Sequence, residues 1–107
     1  MDRIPNERVK EALHSFKNII ETRFHIDRMI LFGSRARDDW LYSSDIDLIL
    51  VSDDFRSMNF IERIGEISQL WDCDLTLEAI CYTPEEFERK KAEIGIVGEA
   101  VKYGIDI

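Results

Sequence analysis

Two runs decide the reading of this chain: Met29-Ile30-Leu31-Phe32-Gly33-Ser34-Arg35-Ala36-Arg37, and then Ser44-Asp45-Ile46-Asp47-Leu48-Ile49-Leu50-Val51. In the first, a short apolar run stops at a glycine, the pattern of a buried strand ending in a turn. Gly33 permits an unusual turn and a close backbone approach to a ligand. Ser34 adds a hydroxyl and a backbone N–H, and a helix beginning there would aim its unpaired N–H groups at a phosphate. In the second run, Asp45 and Asp47 are two apart on a predicted strand and share a face. Ile46, Leu48 and Leu50 point the other way, into a core. Two carboxylates side by side repel each other, and a hard oxygen-seeking cation such as Mg²⁺ relieves that repulsion.

Working outward, Val9, Ala12, Leu13, Phe16, Ile19, Ile20 and Phe24 recur at three- and four-residue steps, which predicts an amphipathic helix over about 5–24 with Pro5 in its first turn. Ser57 is read as the cap of a second helix to about Leu70, with Phe60, Ile61, Ile64, Ile67 and Leu70 on one face. Residues 73–82 alternate and predict a third strand. Thr83-Pro84-Glu85-Glu86 has the form of a capping box, opening a last helical stretch with a break at Gly95 or Gly98 and an end near Gly104. The expected architecture is α/β (α+β): one domain over 1–107, with a single small mixed sheet and helices packed on it.

The balance of 14 Lys+Arg against 22 Asp+Glu, a net charge of −8, argues against a domain that grips long nucleic acid through its phosphates. A small anionic substrate stays open, because a divalent metal can supply positive charge. No apolar run reaches the ~18–20 residues that span a bilayer. The N-terminal residues lack the form of a signal peptide, so a cytoplasmic protein is expected. Cys73 and Cys81, placed in one strand, would lie roughly 26 Å apart, too far for a disulfide.

At Gly33-Ser34, ten intervening residues and Asp45-Ile46-Asp47, the sequence resembles the polymerase-β-like nucleotidyltransferase superfamily. The longer strings, with Cys81-Tyr82-Thr83-Pro84-Glu85-Glu86-Phe87 downstream, look like its minimal nucleotidyltransferase branch. That resemblance implies a two-metal site for phosphoryl transfer. Gly33, Ser34 and Arg35 would hold the triphosphate tail of ATP, and Asp45 and Asp47 would bind two Mg²⁺ ions. The family carries a third carboxylate on the next strand. Counting back from Tyr82-Thr83-Pro84, that position falls on Glu78, a departure from the usual aspartate. Asp74 shares its predicted face and is the fallback, and Asp72 sits at the strand's edge. Asp38-Asp39-Trp40, where relatives often have glycine, is a second departure.

The resemblance further implies transfer of AMP to a hydroxyl on a protein, as the antitoxin of a pair with an all-α HEPN-type partner. Two alternatives stand beside it: a binding module that neutralises a partner by complex formation, and a transferase acting on a small molecule. Arg35 is expected either to contact phosphate or to snorkel over the sheet edge, and Arg37 to snorkel. Trp40 and Trp71 read as core or partner contacts, and Arg89-Lys90-Lys91 as a solvated helix face paired with its glutamates at i,i+4. Trp40, Tyr103, Ile105 and Ile107 are expected to offer apolar surface to a partner.

Overall fold

A computed structural model describes residues 6–36 and 45–107 of the chain. Its elements run α1 (Asn6–Ile20), β1 (Arg28–Phe32), a 3₁₀ turn (Gly33–Arg35), β2 (Ile46–Val51), a second 3₁₀ turn (Asp53–Ser57), α2 (Phe60–Gln69), β3 (Leu77–Tyr82), α3 (Pro84–Ala92), α4 (Ile96–Tyr103) and β4 (Ile105–Asp106). The strands form one sheet in the order β3-β2-β1-β4. β1 is antiparallel to both β2 and β4, and β2 is parallel to β3, so the sheet is mixed as expected. Pro5, Arg37, Asp38, Asp39, Trp40 and Ser44 lie outside the described residues.

Both faces of the sheet are covered, which follows from alternation along the strands. Met29 and Leu31 of β1, Ile46, Leu48 and Leu50 of β2 and Cys81 of β3 pack with Val9, Leu13, Phe16 and Ile20 of α1 and Ile67 of α2. The alternate residues Ile30, Ile49, Val51 and Tyr82 pack with Phe87 of α3 and with Val97 and Ala100 of α4. On that second face the side chains change character along each strand. β2 carries Asp47 at its start and Ile49 and Val51 beyond, and β3 carries Glu78, then Ile80 and Tyr82. A face read as polar from its first residues is polar at one end and a second core at the other.

Several boundaries differ from the sequence reading. α1 ends at Ile20, and 21–24 form turns. α2 is capped by Asn59, not Ser57; the Asn59 side chain accepts from the Glu62 N–H, and Glu62 answers with a full capping box. Ser57 belongs to the preceding 3₁₀ turn. The apolar face read for α2 is also rotated: Arg63 and Ile67 are buried, whereas Phe60, Ile61 and Ile64 are exposed. β3 begins at Leu77, so Cys73 precedes the strand that holds Cys81, and both are free thiols. The Thr83 capping box forms as expected.

The helical stretch breaks at Gly95, and α4 then stops at Gly104. There a Cβ would meet the Ile30 side chain at 2.7 Å and the Leu31 carbonyl at 2.9 Å, so the chain passes against β1 only because the residue is glycine. β4, absent from the sequence reading, follows directly. Ile105 and Ile107 are half-buried and pack on the main core. Trp71 is also a core contact: it meets Phe16 edge-on at 4.9 Å, and its indole N–H donates to the Leu75 carbonyl at 2.8 Å. The basic run on α3 pairs at i,i+3, Lys91 with Glu88 and Lys90 with Glu93, instead of i,i+4.

Candidate active site

The parallel register of β2 and β3 sets Asp47 directly beside Glu78. Both strands enter the sheet at this end, while β1 leaves it, with Phe32 opposite Asp47 and Gly33 next in line. Gly33 has φ +75, a left-handed conformation that L side chains avoid. A Cβ there would overlap Asp47 Oδ2. The glycine therefore allows the turn to close over the Asp47 carboxylate. The following N–H groups of the 3₁₀ turn begin here, and the Ala36 N–H already donates to the Gly33 carbonyl at 3.1 Å.

The register sets the Asp47 carboxyl within reach of a hydrogen bond to Glu78 when Asp47 is protonated. Burial chiefly, then that bond, then repulsion from Glu78 and Asp45, push the Asp47 carboxyl up to about 6 from 3.8. Asp45 is exposed just before β2 and adds its field. Among the described residues, no three His, Cys, Asp or Glu side chains converge into a ready metal cage. The arrangement is instead a pair of adjacent carboxyl groups with a third nearby. Its donor set suits a hard divalent cation, which would favour the ionised form of Asp47 and offset the repulsion.

Of the remaining candidates, Asp74 lies in the irregular segment before β3, exposed. The parity that set it beside Glu78 on paper does not apply, because 73–76 are not strand. Arg35 is fully buried, so it does not snorkel over the sheet edge. Burial lowers its pKa, and Cys73 acts in the opposite sense. Ser34 lies within the turn, and its side chain is outside the described set. The sequence reading also missed a cleft of about 650 Å³ adjoining Gly33, walled by Phe32 and Ala36 on one side and by Ile96, Glu99 and Tyr103 of α4 on the other. Only the packing of α4 against the end of β1 creates it.

Two expected results follow from this geometry. A carboxyl whose folded pKa is raised holds an extra proton in the native state between its ordinary value and about 6. Its stabilisation is thus full below the ordinary value and lost as pH rises through about 6. Without divalent cation, the melting temperature of wild type relative to Asp47→Asn should fall between about pH 4 and 6. Added Mg²⁺ should restore it at pH 7 to 8 and do little at pH 5. Matching pH profiles for wild type and Asp47→Asn would refute the raised Asp47 carboxyl. Secondly, Gly33→Ala should cost about 1–2 kcal/mol from its φ alone. Because the overlapping atom is the movable end of Asp47, activity should fall further than stability, which paired urea titration and transfer assays would measure.

Residues 13–103 match the nucleotidyltransferase domain family. The chain is 27% identical over 101 residues to a Methanocaldococcus jannaschii protein named "Putative protein adenylyltransferase MJ0141", covering 91% of this chain and 96% of that one. A second M. jannaschii protein, "Putative protein adenylyltransferase MJ0604", is 39% identical over 46 residues, 41% of this chain and 46% of that one. In fold, the chain matches the crystal structure of a putative nucleotidyltransferase from Sulfolobus solfataricus with a TM-score of 0.70 at 24% identity, over 94% of this chain and 80% of that one. With its Gly33 turn closed over a carboxylate pair on parallel strands, the chain belongs to the nucleotidyltransferase domain family and is an enzyme of that class.

Proposed function

We propose that the enzyme moves AMP from ATP to a hydroxyl on a protein, with Mg²⁺ held by Asp45, Asp47 and Glu78. The observation that carries this reading is the register pairing of Asp47 with Glu78 beneath the Gly33 turn. The names of the M. jannaschii relatives support a protein acceptor. So does the surface: Phe60, Ile61 and Ile64 leave an apolar patch on α2, and Ile61 is 82% exposed. An all-α HEPN-type protein, for which this chain would be the antitoxin, is the partner we assign. A basic acceptor region would complement the net charge of −8. Among the described residues no helix is long and apolar enough to cross a membrane.

Divalent ions at this site would neutralise charge on the phosphates and favour the leaving pyrophosphate. The chain's own residues position and move a proton. Glu78, the more exposed of the pair, takes the proton of the acceptor hydroxyl; its oxygen bonds the α-phosphorus as the bond to the β-phosphate oxygen breaks. Asp47, fixed between Gly33 and Glu78, sets the geometry. A second reading, neutralisation by binding alone, is favoured by Glu78 standing where the resemblance expects aspartate.

Co-purification with the partner, then incubation with ATP and Mg²⁺ and intact-mass measurement, tests both. Addition of one AMP unit, strongly slowed by Glu78→Gln but only mildly by Asp74→Asn, is the expected result. A tight complex that stays unmodified, and that Asp45→Asn still forms, would leave binding alone.

A further inference from the structure

The cleft beside Gly33 lies on the opposite side of Asp47 from Glu78. The sheet order puts β3 and its Glu78 on one flank of β2, and β1 with Phe32 and Gly33 on the other. Its walls are apolar and aromatic apart from the Glu99 carboxylate and the Tyr103 hydroxyl, and no Lys or Arg lines it among the described residues. Gly104, packed against β1, fixes the α4 wall in place. A ligand that reaches both places must be anionic at the carboxylate pair, where cations would screen it, and flat and uncharged in the cleft. A triphosphate tail does not suit the cleft, because Glu99 would repel it.

We propose that this cleft seats the nucleobase of the nucleoside triphosphate, between Phe32 and Tyr103, and that Glu99 selects a base presenting an amino group. This rests on the nucleotidyl-transfer reading above. An ionised carboxylate accepts hydrogen bonds and donates none. It pairs with the exocyclic amine of adenine and repels the carbonyl oxygen that uracil presents at the corresponding position. Tyr103 is 62% exposed and so can move onto a base. Aromatic stacking gives sequence-independent affinity, while Glu99 supplies the discrimination.

The test is calorimetric titration of the full chain with ATP, UTP and tripolyphosphate, each with Mg²⁺. Glu99 and Tyr103 are both exposed, so Glu99→Gln and Tyr103→Ala should fold. Wild type should bind ATP more tightly than UTP. Tyr103→Ala should weaken both nucleotides about tenfold. Glu99→Gln, whose amide can also donate, should narrow the ATP–UTP gap by about tenfold. Neither variant should weaken tripolyphosphate binding. Equal losses for tripolyphosphate, or an ATP–UTP gap untouched by Glu99→Gln, overturn the inference and leave the catalytic site standing. So would unchanged ATP binding in Tyr103→Ala with a raised KM for the protein acceptor, which would give the cleft to the acceptor. If wild type binds neither ATP nor tripolyphosphate with Mg²⁺, the nucleotidyl-transfer reading itself fails.

Discussion

Asp47→Asn is expected to reduce nucleotidyl transfer on the order of a thousandfold or more, while leaving the protein at least as stable as wild type above pH 6. The two halves of this result have one cause. Asp47 is half-buried beside Glu78 and in the field of Asp45, and above pH 6 its charge is held at a cost to folding. An amide of nearly the same shape removes that cost and can still donate to Glu78. It cannot carry the charge that a divalent cation needs, so the assembly that neutralises the triphosphate is lost. A residue kept for stability would show the opposite pattern. Activity measured with saturating ATP and Mg²⁺, beside urea unfolding at pH 7.5, checks both halves. Asp45→Asn should also abolish transfer, with a smaller effect on stability because Asp45 is exposed. Undiminished transfer in Asp47→Asn would take the metal role away from this strand.

Arg63→Ala should be the most destabilising substitution outside the hydrophobic core, at about 3–5 kcal/mol. The side chain is 5% exposed and enters the junction of four elements. Its Nε donates to the carbonyls of Phe55 and Met58 at 3.0 and 2.9 Å, and one terminal nitrogen donates to the Cys81 carbonyl and to Glu86 Oε1 at 3.1 and 2.7 Å. The guanidinium also lies over the Phe60 ring at 5.0 Å. Truncation leaves three carbonyls and a carboxylate without that partner, and the cost of unmade bonds exceeds the net gain of made ones. Burial by itself would raise the Glu86 carboxyl, but Arg63 and the Thr83 N–H outweigh it and hold the pKa below the usual value. Glu86 thus stabilises the fold above its unfolded pKa and loses that contribution as pH falls. Arg63→Lys, with a point charge in place of a planar fork, should fall between wild type and alanine. Urea unfolding ranks the three; an alanine variant within about 1 kcal/mol of wild type would show that the junction holds without Arg63.

How much of this was legible beforehand depended on how local the cause is. Alternation in 46–51 and the stop at Gly33 identify β1, β2 and the turn, because pleat parity and the conformational freedom of glycine act within a few residues. The Thr83 capping box is equally local. Ser57 and Asn59 both suit a cap, and the choice between them was made by Phe55, which is buried in the core and ties 53–57 into a 3₁₀ turn first. The sequence reads the apolar residues of α2 as one buried face, yet Arg63 takes the inward position, because polar partners from the preceding turn and from β3 and α3 meet it there.

At the site, the sequence by itself named Asp45 and Asp47 as neighbours on one face and marked Gly33 as a turn. Parity over 73–82 suits both Glu78 and Asp74, and only the count back from Tyr82-Thr83-Pro84 that the resemblance supplies puts Glu78 first. Tertiary structure adds the register: β3 starts at Leu77, and its parallel pairing with β2 sets Glu78, not Asp74, against Asp47. Strand register depends on hydrogen bonds between segments some thirty residues apart, which no local periodicity records. The burial of Arg35, the cleft under α4 and the return of Ile105 and Asp106 as β4 have the same origin. Each exists because distant pieces of chain meet, with Gly104 small enough to let α4 close against β1.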